Sequence, residues 1–170
     1  MTSKDELTAR DRAHLWHPYT QMKTAPSPLL IIKAEGVYLH TADGRRILDG
    51  FSSWWVNIHG HSHPKLNAAL ARQASELEHV VLAGCTHRPA IELAERLVAL
   101  LPHGLNRVFY SDDGSTAVEV ALKMAWQYWQ NRGDTARRTF IALDRAYHGD
   151  TVGAMSVSES SSFTEPFDAL

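Results

Sequence analysis

The chain has 170 residues, 44% hydrophobic and 21% charged, the balance of a soluble globular protein long enough for one ordinary domain. Seventeen basic against nineteen acidic residues give a net charge of −2 with no basic stripe, which argues against a nucleic-acid-binding surface. There is no apolar run of membrane length, no signal peptide and no repeat, and the single cysteine, Cys85, has no internal partner, as expected in a reducing cytoplasm.

Residues up to about Thr24 are polar and read as irregular, apart from an anchor at Trp16-His17-Pro18-Tyr19. Ala25-Pro26-Ser27-Pro28 is a linker-like break. Leu29 to Ala34 and Gly36 to Thr41 read as strands, and Ala42-Asp43-Gly44 as the hairpin turn leading to Arg46-Ile47-Leu48-Asp49. Residues 29–50 are thus expected to form a small meander. The Trp54-Trp55 doublet that follows reads as extended chain, where neighbouring side chains face opposite ways, so at most one can face a site; core packing accounts equally for the pair. His59-Gly60-His61-Ser62-His63 alternates three imidazoles onto one face, a pattern that can hold zinc. His63-Pro64 opens a helix with Leu66, Leu70, Gln73, Leu77 and Val80 on one face. Pro89 opens another, carrying Ile91, Ala94, Leu97 and Val98 and ended by Pro102. Nothing beyond His87 marks Cys85 for activation, so no nucleophilic role is read into it.

The densest signal lies in Arg107 to Lys123. A short apolar run, Arg107 to Tyr110, enters the polar turn Ser111-Asp112-Asp113-Gly114-Ser115 and leaves it as a helix with Ala117, Val118, Ala121, Met124, Ala125 and Tyr128 at helical spacing. Glu119 and Lys123 are placed for an i,i+4 pair, and Asn131-Arg132-Gly133 is a C-terminal stop. Gly114 lets a ligand approach the backbone, Ser115 adds a hydroxyl, and the unpaired amides of the first helical turn favour an anion, phosphate above all. Asp112 and Asp113 read as helix caps or as ligand contacts. A second strand, Arg138 to Leu143, runs into Asp144-Arg145-Ala146-Tyr147-His148-Gly149-Asp150. Parallel pairing in a βαβ unit would bring Tyr147 and His148 beside Gly114 and Ser115. Two readings of Tyr147 stand level: a ring laid on an aromatic, phosphorylated cofactor, or a loop aromatic covering a sheet edge.

Asp112-Asp113-Gly114-Ser115-Thr116-Ala117-Val118-Glu119 with Tyr147-His148-Gly149-Asp150-Thr151 resembles the class III, fold-type-I aminotransferases that use pyridoxal 5'-phosphate. Trp16 to Thr20 and Leu48 to His59 further resemble the subgroup that transfers an amino group from S-adenosylmethionine to 8-amino-7-oxononanoate in biotin biosynthesis. The resemblance implies an α/β fold in which residues 1–60 contribute to the small domain and 61–170 form the incomplete start of the large cofactor-binding domain. It implies that Gly114 and Ser115 hold the cofactor phosphate, that Tyr147 stacks on its ring, and that Tyr19, Trp54 and Tyr147 contact substrate. Trp55 and His148 are secondary candidates. The histidines at 59–63 would serve a turn and a cap, so no metal is expected. Members are homodimers, with no nucleic-acid or membrane partner.

Pyridoxal chemistry also needs a lysine to bond the cofactor and an acid on the pyridinium nitrogen. Lys4, Lys23, Lys33, Lys65 and Lys123 match no Schiff-base motif of the family, so no catalytic residue is expected here. Two recognisable sheet strands fall short of the roughly five a doubly wound sheet needs. The serine-rich stretch from Ser156 to Leu170 offers no closing element. The chain therefore reads as a truncated N-terminal part, inactive alone. Other readings are a class III aminotransferase for an ω-amino acid and a noncatalytic interaction fragment.

Overall fold

The structure, a computed structural model, describes residues 3–167 and 169 and divides into two units, Met1–Cys85 and Thr86–Leu170. The first opens with a helix, α1 (Lys4–His14), where the sequence reads as irregular. Ser3 caps it, its hydroxyl accepting from the Glu6 amide at 3.1 Å, with Asp5 and Glu6 in the first turn and Arg12 and His14 in the last. That is the Ser-x-x-Glu start signature with charges complementing the helix dipole. A polar helix lacks an apolar stripe, which is why periodicity alone misses it.

The meander forms as expected: β1 (Ile31–Glu35), β2 (Tyr38–Thr41) and β3 (Arg46–Leu48) pair antiparallel in that order. At the β2–β3 turn the buried Thr41 hydroxyl bonds to Asp43 and receives the Arg45 amide at 3.0 Å, while Gly44 takes φ +84°. Arg45 grips Asp43 at 2.9 Å, and with Thr41 it holds that carboxyl well below the usual carboxylate range against the cost of desolvation. At the β1–β2 turn Gly36 bridges to His61, with reciprocal amide bonds of 3.1 and 2.7 Å. Gly60 must be bare there, because a Cβ would stand 2.9 Å from the Gly36 carbonyl oxygen.

A one-turn element, α2 (Ser52–Trp55), corrects the expectation of an extended Trp54-Trp55. Four consecutive residues take positive φ: Ser52 55°, Ser53 47°, Trp54 64° and Trp55 67°. With the Trp55 amide bonded to the Phe51 carbonyl at 2.9 Å, this is a turn of left-handed helix. The two indoles do not alternate across a strand. α3 (Pro64–Glu76) follows, but ends earlier than its periodicity suggests. Leu77 turns extended, the Gln73 side-chain amide caps its carbonyl at 2.8 Å, and Val80 lies beyond the helix.

In the second unit α4 (Arg88–Leu100) starts at His87, whose imidazole Nδ1 accepts the Ala90 amide. The Tyr110 hydroxyl donates to the Ala90 carbonyl at 2.6 Å. α5 (Gly114–Asn131) ends as predicted, with Gly133 at φ +78° and its amide on Gln130. α6 (Val152–Ser156) is a short helix, and Glu165–Phe167 a 3-10 turn inside the tail read as lacking any element. Arg107 to Tyr110 and Arg138 to Leu143 are not strands: each lacks a ladder partner among the described residues, and a strand is held only by its neighbours. The expected parallel pairing is thus not what joins the turn before α5 to the Tyr147 loop.

Among the described residues Ala154 is the one buried hydrophobic residue, while Ile141 is 98% and Leu143 81% exposed. No helix among them is long and apolar enough to cross a membrane. Apolar surface of this extent has not been removed from water, so the chain by itself lacks the usual driving force for a fixed tertiary structure. The isolated 170-residue chain is expected to bind the dye ANS and to elute as a mixture of species. A cooperative melt with monodisperse elution would contradict this.

Candidate active site

In the first unit the structure brings Tyr19 and Trp54 together. Their rings stack with centroids 5.5 Å apart and planes within 13°, and Phe51 and Trp55 meet the Trp54 indole edge-on at 6.2 and 6.4 Å. Tyr19 also takes positive φ, 51°. All four rings are well exposed, so this aromatic group faces outward and is available to a flat, partly apolar ligand. A left-handed turn costs about 1–2 kcal/mol per residue, so something must hold it. Asp49, whose carboxylate is only 2% exposed, does so. It accepts the Ser53 amide at 2.9 Å, the Ser53 hydroxyl at 2.7 Å and the His61 Nε2 at 2.7 Å. The Ser53 amide, the Ser53 hydroxyl and then His61 hold its pKa down at about 2, against desolvation, which would raise it.

His61 is thereby committed to Asp49, while His59 and His63 meet edge to face at 6.1 Å.

In the second unit Asp113, not Asp112, resolves the cap question. Its Oδ1 accepts the Thr116 amide at 2.8 Å and the Thr116 hydroxyl receives the Asp113 amide at 3.0 Å, a reciprocal capping box. The amides of Gly114 and Ser115 keep no acceptor among the described residues, and the space a Cβ would take at Gly114 is open. A cup with two amides and a hydroxyl at the start of an 18-residue helix suits a phosphate.

The Tyr147 loop meets this cup by contacts the sequence does not announce. The Asp150 amide donates to Ser115 Oγ at 3.2 Å, and the Tyr147 hydroxyl donates to Asp150 Oδ2 at 3.0 Å. Gly149, at φ +128°, lies so close that a Cβ there would stand 2.8 Å from Ser115 Cα. His148 bonds through its backbone amide to the Ser158 hydroxyl at 2.9 Å. Behind the loop, Glu119 Oε1 accepts the Gly153 and Ala154 amides at 2.7 and 3.2 Å. Thr151, these amides and Lys123 hold the Glu119 carboxyl below its ordinary range, with desolvation opposing. Glu119 thus anchors α6 rather than serving only its helical neighbour Lys123. Asp49, Ser53, Glu119 and Asp150 escape sequence reasoning because their partners are distant in sequence or hidden in an unusual turn. The Asp-Gly-x-Ser spacing at 49–52 is the available hint, as a turn signal.

The aminotransferase class-III family model matches residues 19–169. The adenosylmethionine-8-amino-7-oxononanoate aminotransferase of Synechococcus elongatus is 56% identical over 92% of this chain and 37% of its own length. The enzyme of that name from Aquifex aeolicus is 50% identical over 86% of this chain and 33% of its own. Among solved structures, that of the Methanocaldococcus jannaschii enzyme of the same name superposes with a TM-score of 0.91 at 46% identity, covering 98% of this chain and 39% of that one. An (S)-enantioselective omega-transaminase from Thermomicrobium roseum gives 0.86 at 33% identity, covering 97% and 37%. The chain thus spans about a third of the length of the relatives it matches.

In the aminotransferase that carries this segment, replacing Gly149 with alanine should push the loop off Ser115 and remove hydrogen-exchange protection from the Asp150 amide. Gly133→Ala, also at positive φ but with open space around it, should leave that amide unchanged. A pH titration of the aminotransferase that carries this segment tests Asp49. Because its folded pKa is depressed, its contribution is fully present above the ordinary value near 3.9 and is lost as the pH falls through about 2. Tryptophan fluorescence should therefore hold steady from neutrality to about pH 4 and change below it, and Asp49→Asn should abolish that acid-limb transition.

Proposed function

Since this chain belongs to the class-III aminotransferases, we propose that it is the N-terminal part of a pyridoxal-phosphate enzyme that moves an amino group from S-adenosylmethionine to 8-amino-7-oxononanoate in biotin biosynthesis. What supports the cofactor reading is the hydrogen bond from the Asp150 amide to Ser115 Oγ, together with the one from the Tyr147 hydroxyl to the Asp150 carboxylate. Gly114, Ser115 and the Ser115 hydroxyl would bind the phosphate, and Tyr147 would cover the cofactor ring. Pyridoxal phosphate, when bound, supplies the electron sink for the bond changes at the amine carbon. The proton-moving lysine is assigned to none of Lys4, Lys23, Lys33, Lys65 and Lys123; Lys4 and Lys33 are already paired with Asp43 and Glu35.

The Tyr19–Trp54 stack supports the substrate reading. Its rings would bind both the acyl-chain ketone and the sulfonium donor, the latter gaining about 0.5–2 kcal/mol from cation–π attraction according to desolvation. Identities of 50% and 56% to relatives named for this substrate, against 33% to the omega-transaminase, favour it over an ω-amino-acid substrate. In this reading residues 1–60 contribute to the small domain and 61–170 to the cofactor domain of a cytoplasmic homodimer.

In the full-length enzyme, Tyr19→Phe and Trp54→Ala should raise KM for the ketone. Ser115→Ala should weaken cofactor binding by about tenfold, the loss of one charge-assisted hydrogen bond. Unchanged KM in both aromatic variants would rule out the substrate assignment.

A further inference from the structure

We infer that Asp49 is a positioning residue for substrate recognition, acting through Ser53 to hold the left-handed α2 turn that aims Trp54 at Tyr19. The inference rests on the reading of Trp54 as a substrate contact. Three observations meet at this carboxylate. The turn has positive φ at four residues in succession, none of them glycine, which L-residues do not adopt unless held. Both Asp49 oxygens point at the middle of that turn, one to the Ser53 amide and one to the Ser53 hydroxyl. His61 closes the far side of the carboxylate and is itself tied to the meander by two backbone bonds to Gly36.

The geometry makes a lever. Ser53 precedes Trp54 directly, so any rotation of the Ser53 backbone swings the indole away from Tyr19. A relaxed right-handed or extended turn would keep the same side chains exposed but would separate the stacked rings. Asp49 touches no ligand in this scheme. Its effect is felt as a preformed aromatic surface, which spares the substrate the cost of ordering it.

The test is made in the intact aminotransferase that carries this segment, with Trp54→Ala as reference. Asp49→Ala should raise KM for 8-amino-7-oxononanoate about tenfold while kcat stays within about twofold, the pattern of lost binding in ground and transition states alike. The near-ultraviolet circular dichroism assigned to the Tyr19–Trp54 pair should diminish in parallel. Adding Ser53→Gly to Asp49→Ala should recover part of both, because glycine enters the left-handed region without steric cost. If Trp54→Ala raises KM and Asp49→Ala does not, the inference fails. If Trp54→Ala leaves KM unchanged, the substrate reading fails instead, and the dichroism alone decides whether Asp49 sets the indole. Should Asp49→Ala not fold, Ser53→Ala removes a single donor and should move KM and dichroism the same way by a smaller amount; no change in either would overturn the proposal.

Discussion

A buried carboxylate with three donors organises the first unit. Asp49 sits where the meander ends, and its neighbours in space are a turn that follows it and a histidine twelve residues on. Unpaired, it would be a charge out of water and costly. Paired, it fixes what would otherwise be a soft segment. The contacts form a connected series: Thr41, Asp43 and Arg45 lock the hairpin turn before β3, Asp49 follows β3, and Asp49 holds the tryptophan turn.

The second unit uses the same device with the roles reversed. Here the helix is regular and the loop is the part to be held. Glu119, one turn into α5, gathers the amides at the start of α6, and Ser115 takes the amide of Asp150. Two side chains on one helix face therefore fix the loop at both ends. Glycine at 149 and 153 is the counterpart, since a Cβ at 153 would run into the Glu119 carboxylate just as one at 149 would run into Ser115.

Much of this was legible in the sequence, and what was not has definite causes. The meander, the proline-opened helices and the Asp-Asp-Gly-Ser helix start are local patterns, written in turn chemistry and periodicity, and they appear where they were expected. The polar helix at Lys4–His14 was missed because it has a cap and charges but no apolar stripe. The stretches at 107–110 and 138–143 have strand composition, yet strand character is conferred by a ladder partner and not by composition alone. The left-handed turn was hidden for another reason: Ser-Ser-Trp-Trp contains no glycine, so nothing local advertises positive φ. Its cause lies in Asp49, and through it in a long-range contact.

The close approach of Gly36 and Gly60 bears on the stiffness of the first unit. The two backbones touch where side chains would ordinarily intervene, and His61 is the next residue along. Side chains adjust by changing rotamer; two peptide planes in contact have no such freedom. The spacing between the meander and the imidazole is thus set by hard atomic radii, so this part of the molecule behaves as a rigid gauge, transmitting strand geometry to an aromatic surface with little play.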